Sequence, residues 1–236
     1  MYAGTAKLYD RIYAFKDYSD EVAKITQIVE ETLETGGRRL LDVACGTGAH
    51  LEYLKRRFDA EGLDVSPELL AVARARNPEL TFHQADMREF ALDTRYDIVT
   101  CLFSSIGYMT TRTDLHCAIQ RMTDHLVPGG ILLVEPWLTP NVWKAHTVHA
   151  LFVDEPELKI ARVKTSFTEG GRSVFDLHHL VGTPEGTEHI VEHHELGLYT
   201  VEEMVEAFRA AELEADYDPE GLTSRGLYVG RKPEGP

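Results

Sequence analysis

The feature that most constrains the fold of this chain is a short apolar run that ends in a glycine-containing turn. Residues 39–44 (RLLDVA) form the run, and residues 45–48 (CGTG) follow directly. A run that is apolar on both faces is typical of a buried, central strand of a parallel sheet. Glycines between a strand and a helix let the backbone approach a ligand closely. The segment therefore predicts an α/β fold with a ligand site after its first strand.

Strand and helix patterns alternate along the rest of the chain. Helical spacing of apolar residues predicts helices within 9–34 and over 50–57, 67–76, 114–126 and 200–210. Apolar runs predict further strands over 59–64, 80–84, 96–102, 131–135, 212–217 and 225–230. This alternation predicts a Rossmann-like, doubly wound, mostly parallel seven-stranded sheet.

Residues 148–198 break the alternation. They contain β-rich runs and turn signals but little helical periodicity, and Gly170-Gly171 separates two runs in the manner of a hairpin. We expect an antiparallel β insertion here that covers the substrate side. We expect residues 1–236 to form a single domain, with the cofactor-binding core over 38–136.

Carboxylates stand at the ends of the first two predicted strands. Asp42 lies inside the end of the first, and Asp64 ends the second, where a carboxylate can accept both hydroxyl hydrogens of a ribose. A dinucleotide such as NAD is the rival ligand, but Leu51 stands where its fingerprint has a third glycine. Asp42 would also put negative charge near a pyrophosphate. A ligand that carries an ammonium and a sulfonium fits this charge better.

With Asp86 and Met87 following the third strand, these motifs together resemble the class I S-adenosylmethionine (SAM)-dependent methyltransferases. The resemblance rests on residues 41–48 (LDVACGTG), 62–64 (GLD), 84–87 (QADM) and 126–130 (LVPGG). It implies SAM as the cofactor, with Asp86 accepting from the adenine amino group and Met87 packing on the ring. We expect Tyr18 to close over the cofactor. The predicted cofactor-binding residues are Tyr18, Asp42, Ala44, Gly46, Gly48, Asp64, Asp86 and Met87.

A narrower resemblance covers nearly the whole chain. Residues 1–10, 16–18, 103–108, 134–137 and 224–227 are similar to the nucleotide-sugar N,N-dimethyltransferases of macrolide deoxyaminosugar pathways. That family methylates a 3-amino group on a dTDP-linked deoxysugar. Leu138 departs from its pattern, since family members carry a second tryptophan there, and residues 221–224 replace a loop richer in glycine and proline.

The acceptor site is predicted from residues that follow the fourth and fifth strands. Tyr108 is the candidate to orient the nucleophile or accept its hydrogen bond, although a packing role fits it equally well. Glu135 and Trp137 face the same crevice if the fifth strand is parallel. Arg225 is the candidate phosphate ligand, because its planar fork suits phosphate oxygens.

Arg225 has an alternative partner, since it could pair with a nearby carboxylate such as Glu220 or Asp218. The acceptor could then be an uncharged natural product such as an indole or a phenol, methylated on carbon, oxygen or nitrogen. A third possibility is a SAM-binding regulatory protein that keeps the fold without the chemistry.

Two pairs of adjacent histidines lie on predicted strands of the insertion. Because neighbouring strand residues point to opposite faces, only one of each pair can face the site. His178 and His193 are preferred as catalytic candidates over His179 and His194. No ligand spacing indicates a metal site.

Composition limits the partners and the location. The net charge of −15 repels nucleic acid and anionic membranes at long range. The three cysteines fit neither a disulfide framework nor a zinc site, and no apolar run approaches the roughly 20 residues of a membrane span. We therefore expect a cytoplasmic protein with a small-molecule substrate. A homodimer through the insertion stays open.

Overall fold

The chain folds into two sheets, and the structure, a computed structural model, describes residues 5–234. Residues 1–4, which carry the start of one motif used above, lie outside the described residues. The helices are α1 (Tyr9–Ile12), α2 (Tyr18–Thr32), α3 (Leu51–Leu54), α4 (Pro67–Arg76), α5 (Arg112–Asp124) and α6 (Val201–Ala210). The strands are β1 (Arg39–Val43), β2 (Asp59–Asp64), β3 (Thr81–Gln84), β4 (Tyr96–Cys101), β5 (Leu126–Val134), β6 (Val148–Glu155), β7 (Leu158–Glu169), β8 (Arg172–Thr183), β9 (Gly186–Gly197), β10 (Glu214–Asp218) and β11 (Leu227–Arg231).

The larger sheet has seven strands in the order β10-β11-β5-β4-β1-β2-β3. Strands β1 to β5 pair in parallel, and β11 alone runs against its neighbours β5 and β10. The predicted fold class, a mostly parallel seven-stranded sheet with an antiparallel addition, is confirmed. The parallel direction matters for function, because it brings the carboxyl ends of β1 to β5 to one edge.

Helices cover both faces of this sheet, and successive residues of β1 explain why. Leu40 and Leu41 are both fully buried, although they point to opposite faces. Leu40 packs in a cluster with Ile25 of α2, and Leu41 packs in another with Phe208 of α6. A central strand buried on both sides requires two helix layers, and the chain supplies them.

The second sheet consists of β6 to β9, all antiparallel. Gly170 and Gly171 turn β7 into β8, and their φ angles of 54° and 77° are those that favour glycine in a two-residue hairpin turn. The two glycines therefore fix the register that decides which side chains of β7 and β8 share a face.

Several predicted boundaries differ from the structure by one or two residues, and those of β5 and α3 differ by more. Strand β5 begins at Leu126, five residues before the predicted start, because residues 128–130 form a bulge within the strand rather than a turn before it. Gly129 makes this possible with a φ of 76°, and its N–H donates to the carbonyl of Lys232 at 2.8 Å. Helix α3 is shorter than the predicted 50–57.

The segment around α1 connects the two sheets. Asp10 accepts hydrogen bonds from Arg76 at 2.5 Å and from Thr47 at 2.7 Å, which ties it to the larger sheet. Ile12 packs in a cluster of the second sheet, and the Thr5 hydroxyl donates to Glu192 of β9 at 2.5 Å. The segment thus spans the gap between the sheets. Among residues 5–234, none of the helices has the length and apolar character that a membrane span requires.

Candidate active site

A cavity of about 430 Å³ lies between the carboxyl edge of the larger sheet and one face of the second sheet. Its walls come from the α1 segment, the loops after β1 to β5, the second sheet and the loop before β11. Of the predicted site residues, the structure brings eight to this wall: Ala44, Gly46, Asp64, Asp86, Met87, Tyr108, Trp137 and Arg225.

The glycine turn after β1 opens onto this cavity. Gly46 has a φ of 57°, and a Cβ built there would meet no atom within 4 Å. A ligand can therefore approach its backbone closely. Gly48 serves a different purpose, since a Cβ there would stand 2.9 Å from the Asn77 amide nitrogen and 3.2 Å from Ala73 of α4. The second glycine lets the turn pack on α4 and does not line the cavity.

Asp64 ends β2 with its carboxylate at the cavity wall. Its Oδ2 accepts from the Gly46 N–H and its Oδ1 from the Ser66 N–H, both at 2.8 Å. The side chain is buried, and burial raises its pKa. Each carboxylate oxygen has a further lone pair, so both can still accept from the hydroxyls of a ribose.

Asp42 lies beneath the turn rather than in the wall. Its Oδ1 accepts from the Thr100 hydroxyl at 2.7 Å. Complete burial raises its pKa from 3.8 to about 6, although His50 and the Thr100 hydrogen bond act in the other direction. Asp42 therefore contributes charge beneath the turn rather than a contact with the cavity.

Asp86 and Met87 line the cavity after β3. Arg88 holds both oxygens of Asp86, at 2.6 and 3.0 Å, and this pairing lowers the pKa of the carboxyl. The arginine fixes the carboxylate in its ionised, hydrogen-bond-accepting form. Met87 is largely buried beside it and gives this part of the wall an apolar surface.

Tyr18 does not reach the cavity, which corrects the prediction that it closes over the cofactor. Its ring packs edge-on against His50 at a centroid distance of 4.8 Å. A buried ionic group holds this region, since Glu21 accepts from Lys16 at 2.7 Å and from His50 at 2.8 Å. Three other aromatic residues of the amino-terminal segment line the cavity instead: Tyr9, Tyr13 and Phe15.

An aromatic group contributes Trp137 and Phe175 to the cavity wall. Trp137 lies 6.0 Å from Trp143 and 5.9 Å from Phe175, measured between ring centroids. Its indole N–H donates to the Ser173 hydroxyl at 2.8 Å, which fixes the plane of the ring. Tyr108 also lines the cavity, and its hydroxyl lies 2.9 Å from Nδ1 of His194.

Three basic side chains line the same end of the cavity: Arg162, Lys164 and Arg225. Arg225 donates to the Ser104 hydroxyl at 3.0 Å and lies 5.6 Å from the Trp137 ring. Burial lowers the pKa of Lys164, and the nearby charges of Arg162 and Arg225 lower it further. Among the residues that the structure describes, none of the three forms a salt bridge with a carboxylate.

Sequence reasoning found Arg225 but missed Arg162 and Lys164. Among the described residues, neither carboxylate considered for Arg225 forms a salt bridge with it, and Asp218 accepts from the backbone N–H groups of Glu220 and Gly221. Arg162 and Lys164 could have been found from their spacing of two residues on a strand, because that spacing puts both side chains on one face.

Glu135 is a correction, because it is fully buried and does not line the cavity. One carboxylate oxygen accepts from the Phe103 N–H at 2.7 Å and the other from the Thr223 hydroxyl at 2.5 Å. Glu135 therefore joins the loop after β4 to the loop before β11. It holds the base of the acceptor site and leaves substrate contact to its neighbour Trp137.

The choice of His178 and His193 as catalytic candidates is also corrected. Both are exposed on the outer face of the second sheet, where His193 lies 2.7 Å from Asp176. The inner face carries their neighbours His179 and His194, each about 1% exposed. Within residues 5–234 no group of three or more potential metal ligands comes together.

Comparison with known proteins agrees with the geometry. Residues 40–130 match the family model described as a methyltransferase domain. The crystal structure of Streptomyces venezuelae DesVI superposes with a TM-score of 0.90 at 36% identity, covering 100% of this chain and 99% of that one. The SAM-bound amino pentose methyltransferase CalS10 from Micromonospora echinaspora gives a TM-score of 0.86 at 37% identity, covering 95% and 96%. The fold and the site define a class I methyltransferase that uses SAM as its methyl donor.

Curated relatives narrow the class. The chain is 39% identical over 229 residues to the dTDP-3-amino-3,6-dideoxy-alpha-D-glucopyranose N,N-dimethyltransferase of Streptomyces fradiae, covering 95% of this chain and 89% of that one. It is 38% identical to the corresponding 3,4,6-trideoxy enzyme of Streptomyces venezuelae, covering 95% and 96%. The chain belongs to the family of nucleotide-sugar N,N-dimethyltransferases.

Proposed function

We propose that the protein transfers methyl groups from SAM to the amino group of a dTDP-linked aminodeoxysugar. The observation that carries this proposal is the group of three basic side chains, Arg162, Lys164 and Arg225, in the wall of the cavity. In a chain of net charge −15 these side chains form a local positive site. The negatively charged diphosphate of a dTDP-linked sugar is the part of the substrate that such a site would bind. Screening limits the effect of distant carboxylates beyond about 8 Å at physiological salt.

The donor half of the cavity fits SAM. The open backbone at Gly46 and the spare lone pairs of Asp64 suit the amino acid and ribose parts. Leu63, Leu69 and Met87 supply an apolar surface for the adenine. When bound, SAM supplies a methyl group on a positively charged sulfur, which is already activated for transfer to a nucleophile.

The other residues of the cavity wall position the acceptor. The basic side chains hold the diphosphate, and Trp137 and Phe175 give the sugar and base a flat apolar wall. Tyr108 lines the cavity with its hydroxyl fixed by His194, so it can accept a hydrogen bond from the acceptor nitrogen. Alignment of this kind contributes a large share of the rate of a simple displacement.

A panel of acceptors tests the proposal. The purified enzyme is incubated with SAM and dTDP-aminosugars, or with indoles and phenols, and release of S-adenosylhomocysteine is followed. We expect turnover of the sugar nucleotides, and Arg225→Ala should raise their KM about 10- to 100-fold by removing a charge-assisted hydrogen bond. Arg209→Ala, on the exposed surface of α6, is the matched control. Turnover confined to uncharged aromatic acceptors would reject the sugar-nucleotide substrate.

A homodimer through the outer face of the second sheet is the second part of the proposal. Phe152, Val163, Leu180 and Val191 are 72%, 40%, 52% and 50% exposed there. Strand pairing puts them in two adjacent rows, which also hold His178 and His189, and the four side chains form an apolar patch as diagonal neighbours. Such patches mark interaction surfaces. A second copy of the chain related by a twofold axis would cover the patches of both copies at once.

The mass in solution tests the dimer. Light scattering should give twice the mass of one chain, and Phe152→Asp combined with Leu180→Asp should give a monomer. Val142→Asp, which changes an exposed valine outside the patch, should not alter the mass. A monomeric wild-type protein at micromolar concentration would refute this part alone. A cytoplasmic location stays a prediction.

A further inference from the structure

Tyr108 and His194 form a contact that leads from the cavity into the protein. The Tyr108 hydroxyl lies 2.9 Å from Nδ1 of His194, and Tyr108 itself lines the cavity. His194 is buried on the inner face of β9, where its ring stacks on Phe175 at 5.3 Å and an interplanar angle of 19°. The imidazole is therefore held in one orientation behind the tyrosine, out of reach of the acceptor except through that hydroxyl.

Glu192 continues the contact on the far side of the imidazole. Its Oε2 lies 3.7 Å from Nε2 of His194, and its Oε1 accepts from the Thr5 hydroxyl at 2.5 Å. Burial alone would raise the pKa of Glu192, but the close imidazole of His194 and the hydrogen bond from Thr5 outweigh it and lower the pKa. An ionised Glu192 favours hydrogen on Nε2, which leaves Nδ1 to accept from Tyr108.

Other charged and titratable groups face His194 from the elements packed around it. His179 lies on the same face of β8, and Arg162 and Lys164 lie on the same face of β7. Tyr9 of α1 is close to Tyr108. Burial lowers the pKa of His179, so it stays neutral. Arg162 and Lys164 bring positive charge to this region, and the carboxylate of Glu192 brings negative charge 3.7 Å from Nε2 of His194.

A methyl acceptor of the proposed kind has a proton to lose. An alkylamine has a pKa of about 10, so it arrives at neutral pH as an ammonium without a free electron pair. The proton must leave before the first methyl transfer, and again before the second. In the described residues of the cavity wall, Tyr108 is the hydroxyl that is joined to a buried imidazole and carboxylate.

We propose that His194, acting through the Tyr108 hydroxyl, receives the proton that the acceptor ammonium loses, and that Glu192 stabilises the resulting imidazolium. One N–H bond of the ammonium breaks, its electron pair stays on nitrogen, and the proton passes to the Tyr108 oxygen. The hydroxyl hydrogen of Tyr108 passes at the same time to Nδ1 of His194. The charge balances without any redox change. His194 is in this sense a positioning residue, since Tyr108 is the group that touches the substrate. The inference rests on the proposed aminosugar acceptor.

A pH profile tests the relay. Initial rates with SAM and a dTDP-aminosugar are measured from pH 6.5 to 9.5 for wild type, Tyr108→Phe, His194→Gln and the double variant, with mono- and dimethylated products separated by mass spectrometry. We expect kcat to fall about 100-fold at pH 7 in each single variant, within the usual range for proton transfer by a positioned side chain. The loss should shrink toward pH 9.5, because free amine is then present in solution. The double variant should be no worse than the single ones. SAM affinity, measured by calorimetry, should stay unchanged.

His193→Gln is the matched control, because it changes the adjacent histidine on the outer face of the same strand. It should leave the profile unaltered. If wild type turns over the aminosugar but Tyr108→Phe and His194→Gln lose the same fraction of activity at every pH, the relay is overturned. The proposed function then still stands. Should His194→Gln fail to fold, Tyr108→Phe decides by the same criterion. No wild-type turnover of any aminosugar would overturn both.

Discussion

Asp42 and Asp64 are both buried at the ends of the neighbouring strands β1 and β2, yet they lie differently relative to the cavity. Asp64 faces the cavity with both oxygens partly occupied by backbone N–H groups, whereas Asp42 is enclosed beneath the turn. Sequence spacing predicted both positions correctly as strand ends. Which of them reaches the ligand depends on the side-chain direction at the end of each strand, and a motif alone does not give that.

Replacing Asp64 should weaken the donor site. Asp64→Asn removes the charge that a ribose hydroxyl would meet, and we expect SAM binding to weaken by about 1–3 kcal/mol, measured by calorimetry. Asp59→Asn changes an exposed aspartate at the start of the same strand and is the control. Equal affinities for Asp64→Asn and wild type would exclude Asp64 as a ligand.

Asp42 should make the stability of the ligand-free protein depend on pH. Burial raises its pKa from the ordinary 3.8 to about 6 in the folded protein, so the folded state binds the proton more tightly. The contribution of Asp42 to stability is thus fully present below pH 3.8 and is lost as the pH rises through 6. The free energy of unfolding falls by on the order of 3 kcal/mol across this pH range.

Denaturant unfolding at several pH values checks this sign. Asp42→Asn cannot ionise, so its free energy of unfolding relative to wild type should increase between pH 4 and pH 8. A constant difference over that range would contradict the elevated pKa. The same variant should lose affinity for SAM at pH 8, because the buried negative charge is gone.

At the scale of elements, alternation along the strands of the second sheet decides which of its side chains line the cavity. The sequence predicted that at most one histidine of each pair faces the site, but the preference for His178 and His193 was wrong, because the inward face depends on how the sheet packs against its neighbour. The structure turns His179 and His194 inward, together with Arg162 and Lys164. The cofactor half of the site was easier to predict, because its glycines and carboxylates lie in short, contiguous motifs at strand ends.

Strand β7 offers a direct test of this alternation. Arg162→Ala and Lys164→Ala should each raise the KM for a dTDP-aminosugar about tenfold or more, since each removes a cation from the diphosphate site. Lys159→Ala, on the same strand but paired with Asp154 at the surface, should behave as wild type. Similar KM values for all three variants would show that β7 does not hold the phosphates.

At the scale of the whole molecule, the two sheets contribute different parts of the cavity wall. Gly46, Asp64 and Asp86 of the cavity wall belong to the larger sheet and its loops, and Arg162, Lys164 and Phe175 belong to the second sheet. Replacing residues 146–198 by a short glycine–serine linker should therefore keep SAM affinity within about tenfold, which is about 1.4 kcal/mol, and abolish turnover. Calorimetry and the homocysteine assay measure the two effects. Loss of both would mean that the second sheet supports the core itself.

The contact between Thr5 and Glu192 joins residues 187 positions apart in the chain. During synthesis on the ribosome, the strands that hold the donor emerge first, and a partly made chain can already assemble much of that half. The acceptor half cannot be completed until β9 has left the ribosome and the amino-terminal segment has docked on it. A nascent chain can therefore acquire a place for the methyl donor well before it has one for the molecule to be methylated.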